Sequence, residues 1–558
     1  MGLAAIAILL FLAANLAFAL FTRVPSDHVS FALESRSISG FRLACTMLAS
    51  NLSAFTIFGV SGASYRIGWA YFPVMAFGTA FMALSFPLFG IPLRRLAARH
   101  GWISPGDAIR DRFASPAAGA LFSMLLLIYT LPYIATQAGT AGSLLSSSLG
   151  LHPWIGSAIV MAVVLLYILR GGMRSVTNSD ILQLLVMLAL GCTAALIVLS
   201  AAAALPASAA TEAFQQALSR EGRGGSSSAL ELVGYYLLWF FADPMFPHLT
   251  QRFFAARDDR SILQVMAAYP FVSLAIFFAM TSVGVAGILM EPGLTGRQTD
   301  GIFTILMARY GGLAGPVFSL AALAALMSTL DSQILSSTSL LIELFKGSTE
   351  KKSLNANHAA HPRAQLSFAA WYRLGASALV LVGWLVSLRP PATILSFLTS
   401  TSFLGYASLA PVMLAALYAP HVGSKSAIAA MLAGSGLVLA LGLGIIRLPV
   451  PTILLILAVT GSILAAGAVL RRGRMAYLPR VDSCAVNPRY WLVLGTFFFL
   501  GTDIWNFGKP VTRFLGIPVW VWYHSVAILA MGLFLATQGP ALLPERCTQT
   551  CEAGKEHP

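Results

Sequence analysis

The sequence predicts an all-α polytopic membrane protein, on three observations. Only 10% of its 558 residues are charged and 57% are hydrophobic, against roughly 25% charged in a soluble domain. The apolar runs are about 20 residues long, the length at which a helix crosses a hydrocarbon core of about 30 Å. They do not alternate apolar with polar residues, so helices rather than a barrel must satisfy the backbone in lipid. The net charge of +14 fits the positive-inside bias of a membrane protein and needs no nucleic-acid partner.

In chain order, 15 candidate spans lie near 3–22, 40–63, 69–92, 117–145, 153–169, 180–204, 229–249, 263–290, 314–341, 369–387, 392–418, 425–446, 450–470, 490–507 and 517–538. The first, "MGLAAIAILLFLAANLAFALF", lacks a basic n-region and an A-x-A cleavage site, so it reads as a span and not a signal peptide. With the N-terminus outside, 26 of the 35 Lys and Arg fall in cytoplasmic loops or the tail 539–558, and 9 fall outside. Arg23, Arg252, Arg472, Arg474, Arg480, Arg546 and Lys555 are counted among the 26. That ratio sets the orientation at the inner (plasma) membrane, with the C-terminus cytoplasmic. The longest polar connections, 205–228 outside and 344–368 inside, are too poor in apolar residues for domains and read as loops. The five cysteines are scattered; only Cys547 and Cys551 lie close together, at a C-x-x-x-C spacing that fits no strong metal pattern, so they read as free thiols on the tail.

Span 314–341 carries the chemistry. Within it, "AALMSTLDSQ" (324–333) puts Ser328, Thr329, Asp331, Ser332 and Gln333 at membrane depth. One Ser or Thr there usually bonds back to a carbonyl of its own helix, but five polar groups together mark a functional site. A hard cation such as sodium takes several oxygen ligands, mostly neutral. An intact helix offers the Ser328 and Thr329 oxygens but few free carbonyls, so the remainder must come from a broken helix. Span 40–63 is the candidate, since its middle, "ASNLSA" (49–54), is small and polar and precedes Gly59 and Gly62. A close-packing face of small residues is the competing reading.

Five segments taken together resemble the sodium/solute symporter family, which includes proline, sialic acid, sugar, pantothenate and monocarboxylate carriers. They are "SNLSAFTIFGVSGASYRIG" (50–68), "PLRRLAARHGWISPGDAIRDRF" (92–113), "YILRGGMRSVTNSDILQ" (167–183), "PMFPHLTQRFFAARD" (244–258) and "AALMSTLDSQILSS" (324–337). Their order and spacing match over roughly residues 1–470. The resemblance implies a LeuT-like five-plus-five inverted repeat, the first helix of each repeat being broken. It implies repeats at 40–204 and 229–418 around the loop 205–228, flanked by an N-terminal peripheral helix (1–39) and peripheral helices (419–489); a hairpin (490–538), which departs from the family core, and a tail (539–558) follow. It also implies a sodium site made of the Ala49, Leu52 and Ala325 carbonyls with the Ser328 and Thr329 hydroxyls, which are five neutral ligands. Asp180 matches a family Asp tied to sodium binding or release, although an Asp at a span's start also complements helix polarity. A second cation site in some members would here use Asp180, Asp331 and Ser332 with Ser328. Two carboxylates so close would hold a cation tightly or share a proton.

The solute is expected beside the sodium, on Asn51, Ser53, Phe55 and Thr56 of the first broken helix and Trp239, Phe240, Asp243 and Phe246 of the second. Gln137, Ser402 and Tyr406 are further candidates. Asp243 either faces an amino group of the solute or caps the break before Pro244. The segment "LGIPVWVWYHSVAILAMGLFLATQ" (515–538) resembles small two-span accessory membrane proteins, the plainer alternative being two peripheral helices. The expected activity is sodium-coupled symport of a small polar organic solute, an amino acid or organic acid being favoured, by alternating access. A proton-coupled symporter of the same fold and a transporter-like membrane sensor are the alternatives, but the short tail offers no output domain. An enzyme is disfavoured because, of the nine His, only His248 and His524 lie in or at the end of a span.

Overall fold

The computed structural model describes residues 2–22, 25, 27–206, 211–225, 227–356, 362–388, 398, 402–446, 450–471 and 487–542. Arg23, Arg472, Arg474, Arg480, Cys484, the tail from 543 with Cys547 and Cys551, and most of the start of span 392–418 lie outside these residues, as does 357–361 of the inner loop. The main elements are α1 (Leu3–Phe21), α2 (Gly40–Asn51), α3 (Val60–Ile67), α4 (Gly90–His100), α5 (Pro105–Arg112), α6 (Pro116–Leu149) and α7 (Pro153–Ala203). They continue with α8 (Ala229–Ala242), α9 (Pro247–Ala255), α10 (Asp259–Met290), α11 (Ser319–Ala356), α12 (Pro362–Ser387) and α13 (Leu404–Tyr418). The last four are α14 (Ser424–Gly442), α15 (Thr452–Leu470), α16 (Pro488–Thr502) and α17 (Val519–Gln538).

Among the described residues, eight helices are long and apolar enough to cross a membrane, or ten if each of two bent pairs is one crossing. The sequence expectation of 15 runs differs because length and hydropathy do not count broken or merged helices singly. Spans 153–169 and 180–204 merge into α7, whose 51 residues contain one non-helical glycine, Gly172, at φ 53 and ψ −139. A straight helix of that length would run about 76 Å, more than twice a bilayer core of about 30 Å, so the chain must turn at Gly172. Only glycine adopts this conformation cheaply, and a Cβ there would lie 2.4 Å from the Phe31 carbonyl oxygen.

Both expected breaks are present, and they have different causes. Between α2 and the turn leading into α3 the axis bends by 56°, with Leu52 extended at φ −84 and ψ 98. No proline forces this; the Ser53 N–H donates to Thr56 Oγ1 (3.2 Å) and the Ala54 N–H to Gln137 Oε1 (3.1 Å) instead of to the helix. Between α8 and α9, Pro244 and Pro247 supply no N–H and residues 243–245 form a single 3-10 turn.

The connection 205–228, read as a plain loop, carries a short helix, Glu212–Ala217. Its Arg220 is buried against Asp503 (3.3 Å) and between the Phe507 and Trp520 rings of the C-terminal hairpin. The hairpin, α16 and α17, is therefore docked on the core rather than loosely peripheral. Tyr236 of α8 donates to the Gly501 carbonyl (2.8 Å), and Tyr490 of α16 donates to the Leu84 carbonyl (2.6 Å).

Candidate functional site

The first break frees carbonyls that an intact helix would occupy. Residues 53 and 54 have turned their N–H groups to side chains, so the Ala49 and Ser50 carbonyls are open to other donors. Two hydroxyls of α11 take them: Ser328 Oγ donates to Ala49 O at 2.9 Å and Thr329 Oγ1 to Ser50 O at 3.0 Å. Both hydroxyls also lie 3.2 Å from the Ala325 carbonyl. Of the five expected ligands, four are thus joined by direct contacts, and Leu52 stands buried at the break itself. Ser50 O is a member that sequence reasoning missed. It follows from the break, because each redirected N–H leaves the carbonyl four residues earlier without its usual partner. The donor set is neutral throughout, which suits a monovalent cation that must also leave.

One helical turn further along α11 the character changes. Asp331 accepts hydrogen bonds from Tyr167 (2.6 Å) and Ser332 (2.9 Å), and Ser332 lies 2.9 Å from Ser50 Oγ. Asp180, 0% exposed, accepts from Thr46 and from Arg252 (3.1 Å). Asp180 lies eight residues beyond Gly172, inside the second half of α7, and not in a first turn where helix polarity would account for it. The proposed second-site residues are therefore brought together, with a guanidinium among them. Arg252 also donates to Ser332 (2.6 Å), Thr46 (2.8 Å) and the His248 carbonyl (2.9 Å).

That placement corrects the assignment of Arg252 to a cytoplasmic loop; it is 0% exposed, on α9. The signal was present in "PHLTQRFFA", where a single charge sits in a helical apolar stretch behind a proline break. Charged groups at such depth are paired and functional more often than not. Asp180 Oδ1 has no hydrogen-bond partner, nor do the two Gln333 side-chain polar atoms.

A narrow cavity of about 20 Å³, little more than the room for one water, lies beside the neutral junction. Of the candidate solute residues, Asn51, Phe55, Thr56, Trp239, Asp243 and Phe246 line it; Leu52, Met75, Thr79, Tyr133, Phe277 and Phe403, not among those candidates, line it too. Tyr133 and Phe403 were invisible because aromatic residues in apolar spans are packing residues by default, and nothing local distinguishes these two. Ser53 does not line the cavity: its hydroxyl accepts from the Tyr133 hydroxyl (2.9 Å) and the Phe55 N–H (3.1 Å). Gln137 stands behind the break and holds it. Phe240 packs on Phe81 and Phe241 away from the cavity, Tyr406 bonds Thr130 (2.7 Å), and Ser402 is buried.

Comparison with known proteins agrees with this geometry. The family model described as "Sodium:solute symporter family" matches residues 31–434. The sodium/pantothenate symporter of Escherichia coli (strain K12) is 27% identical over 412 residues, covering 72% of this chain and 82% of that protein. The osmoregulated proline transporter OpuE of Bacillus subtilis (strain 168) is 24% identical over 425 residues, or 74% and 83% of the two chains. A solved Na+-coupled sialic acid symporter, substrate-bound and outward-open, superposes with a TM-score of 0.64 at 14% identity over 85% of this chain and 99% of that one. This likeness shows the fold, the LeuT-like architecture in which broken helices meet at a central site. A multi-pass helical membrane protein, matched over well more than half its length, this chain belongs to the sodium:solute symporter family and couples sodium to the transport of a small solute.

Proposed function

We propose that sodium binds between the first break and α11, on the carbonyls of Ala49, Leu52 and Ala325 and the hydroxyls of Ser328 and Thr329. The carrying observation is the pair of contacts at 2.9 and 3.0 Å that tie these hydroxyls to carbonyls freed by the break. A cation there replaces two hydroxyl–carbonyl hydrogen bonds by oxygen–cation contacts and joins α2 to α11 more firmly than either bond alone. The solute, an amino acid or organic acid, enters the adjacent cavity as its walls part, and the two sites alternate between the membrane faces. Because coupling is reciprocal, sodium raises solute affinity by the factor by which solute raises sodium affinity. The N-terminus lies outside and the C-terminus inside, repeats at 40–204 and 229–418 forming the transport core and 490–538 an accessory hairpin. The test is uptake into proteoliposomes: an inward sodium gradient drives accumulation, and uptake that ignores the gradient overturns the assignment.

A second reading concerns the cluster below. Asp180 and Asp331 against the single Arg252 leave a formal charge of −1 among buried groups. Such a charge is costly in low dielectric, so the cluster takes up one positive charge during the cycle, a second sodium or a proton. Uptake driven by a proton gradient in sodium-free medium, and abolished in Asp331→Asn, identifies the proton. Two sodium ions per solute, falling to one in that variant, identifies sodium.

A further inference from the structure

The cavity carries a charge pattern that narrows its solute. Among the described residues lining it there is one carboxylate, Asp243, and no lysine, arginine or histidine. Asp243 is 4% exposed. Its Oδ2 accepts a single hydrogen bond, from Asn51 Nδ2 at 3.2 Å. The helix after it, α9, has Phe246 at its N-cap position with no side-chain cap bond, so the Asp243 carboxylate does not cap the break. The nearby buried cation, Arg252, is committed to Asp180, Ser332, Thr46 and the His248 carbonyl. A carboxylate with one amide donor, at membrane depth and facing a cavity, is costly unless a cation arrives.

Around it the walls are aromatic and their polar tips are already engaged. Trp239 donates its indole N–H to the Val74 carbonyl (3.0 Å), and Tyr133 its hydroxyl to Ser53 (2.9 Å). Both therefore offer the cavity ring surface rather than donors. Phe403 sits at the centre of the group, 5.3 Å from Trp239, 5.8 Å from Phe55, and 5.6 Å from both Tyr133 and Phe246 by ring centroids. Aromatic faces around a carboxylate are the arrangement that binds alkylated ammonium groups, through ring quadrupoles and one ion pair. An anion without an ammonium would meet Asp243 with no positive side chain on the cavity wall to offset it.

We propose that the transported solute carries an ammonium group, as an amino acid zwitterion or a quaternary amine does, and that this group seats on Asp243 within the cage around Phe403. The proposal rests on reading this cavity as the solute site. It separates the two classes left together above, excluding organic acids that lack an amine.

The experiment compares charge at constant shape in the full-length purified protein. Binding is followed by thermal shift and isothermal titration, with and without sodium, for L-proline against cyclopentanecarboxylate, and for choline and glycine betaine each against its tert-butyl carbon isostere. The expected result is sodium-dependent binding of at least one ammonium probe, about 10- to 100-fold tighter than its isostere, the range of a hydrogen-bonded charge contact. Asp243→Asn should erase that preference while the stabilisation by sodium alone persists, and Phe403→Leu, which keeps the carboxylate, should reduce it several-fold. Isosteres that bind as well as their ammonium partners overturn the proposal, as does binding by none of the ammonium probes. A preference that survives Asp243→Asn in folded protein overturns it too. An ammonium preference with no response to sodium would instead sink the sodium-site assignment and leave this inference standing.

Discussion

Two polar clusters sit one turn apart on α11, and they solve opposite problems. At Ser328 and Thr329 every donor and acceptor is neutral, and the partners are backbone carbonyls exposed by a break. At Asp331 and Ser332 the cluster itself is charged: Asp331 takes the Tyr167 and Ser332 hydroxyls, and the Arg252 guanidinium lies between Asp180 of α7 and Ser332 of α11. The first can gain and lose an ion without leaving charge behind in lipid. The second carries its own cation, tethered to α9, and so joins four helices, α2, α7, α9 and α11. Residue type alone, polar groups in an apolar span, does not tell such sites apart; what faces them does.

The sharpest way to break the comparison is to remove the tethered cation. Arg252→Met leaves two carboxylates facing each other, and losing one partner of a buried pair costs about 3–5 kcal/mol. The expected outcome is protein that expresses poorly or melts far below the parent in detergent, whereas Ser328→Ala melts near it. Arg252→Lys should recover part of the loss, because an ammonium restores charge but not the planar fork that spans Asp180, Ser332 and Thr46.

Next in size is the neutral junction. Ser328→Ala and Thr329→Ala each remove one oxygen from the cation's set and one bond to α2, raising the half-saturating sodium concentration for uptake at least about 10-fold, or 1.4 kcal/mol. A smaller effect is expected behind the break. Gln137→Leu leaves the Ala54 N–H without its acceptor, about 1–3 kcal/mol for a buried group, read as a lowered melting temperature with weakened sodium response. Smallest is Tyr236→Phe, which deletes one hydroxyl between α8 and the hairpin, about 1 kcal/mol; its effect should fall on stability and leave sodium dependence alone.

Much of this was legible in the residues. The first break was readable in the small polar residues at 49–54, whereas the second, before Pro244, was expected from the family resemblance. The neutral junction could be read because Ser328 and Thr329 are adjacent polar groups with no reason to be in lipid. Harder was anything set by distant packing. Arg252 looked like a loop residue because charge in a chain this apolar is assigned outside the membrane unless its partners are known, and these lie 72 and 80 positions away. The aromatic walls at Tyr133 and Phe403 gave no local signal, since an aromatic ring in a membrane helix packs somewhere in any fold. Gly172 could be seen as a glycine pair, but the turn it permits depends on Phe31 approaching from another element.

The central claim is that a cation binds where Ser328 and Thr329 meet the freed carbonyls of α2. Its most direct test is the sodium dependence of solute uptake in proteoliposomes for the parent and the Ser328→Ala, Thr329→Ala double variant, with reconstitution levels matched. The double variant is expected to lose stimulation by sodium across the range that saturates the parent. An unchanged sodium curve in correctly folded double variant would contradict it.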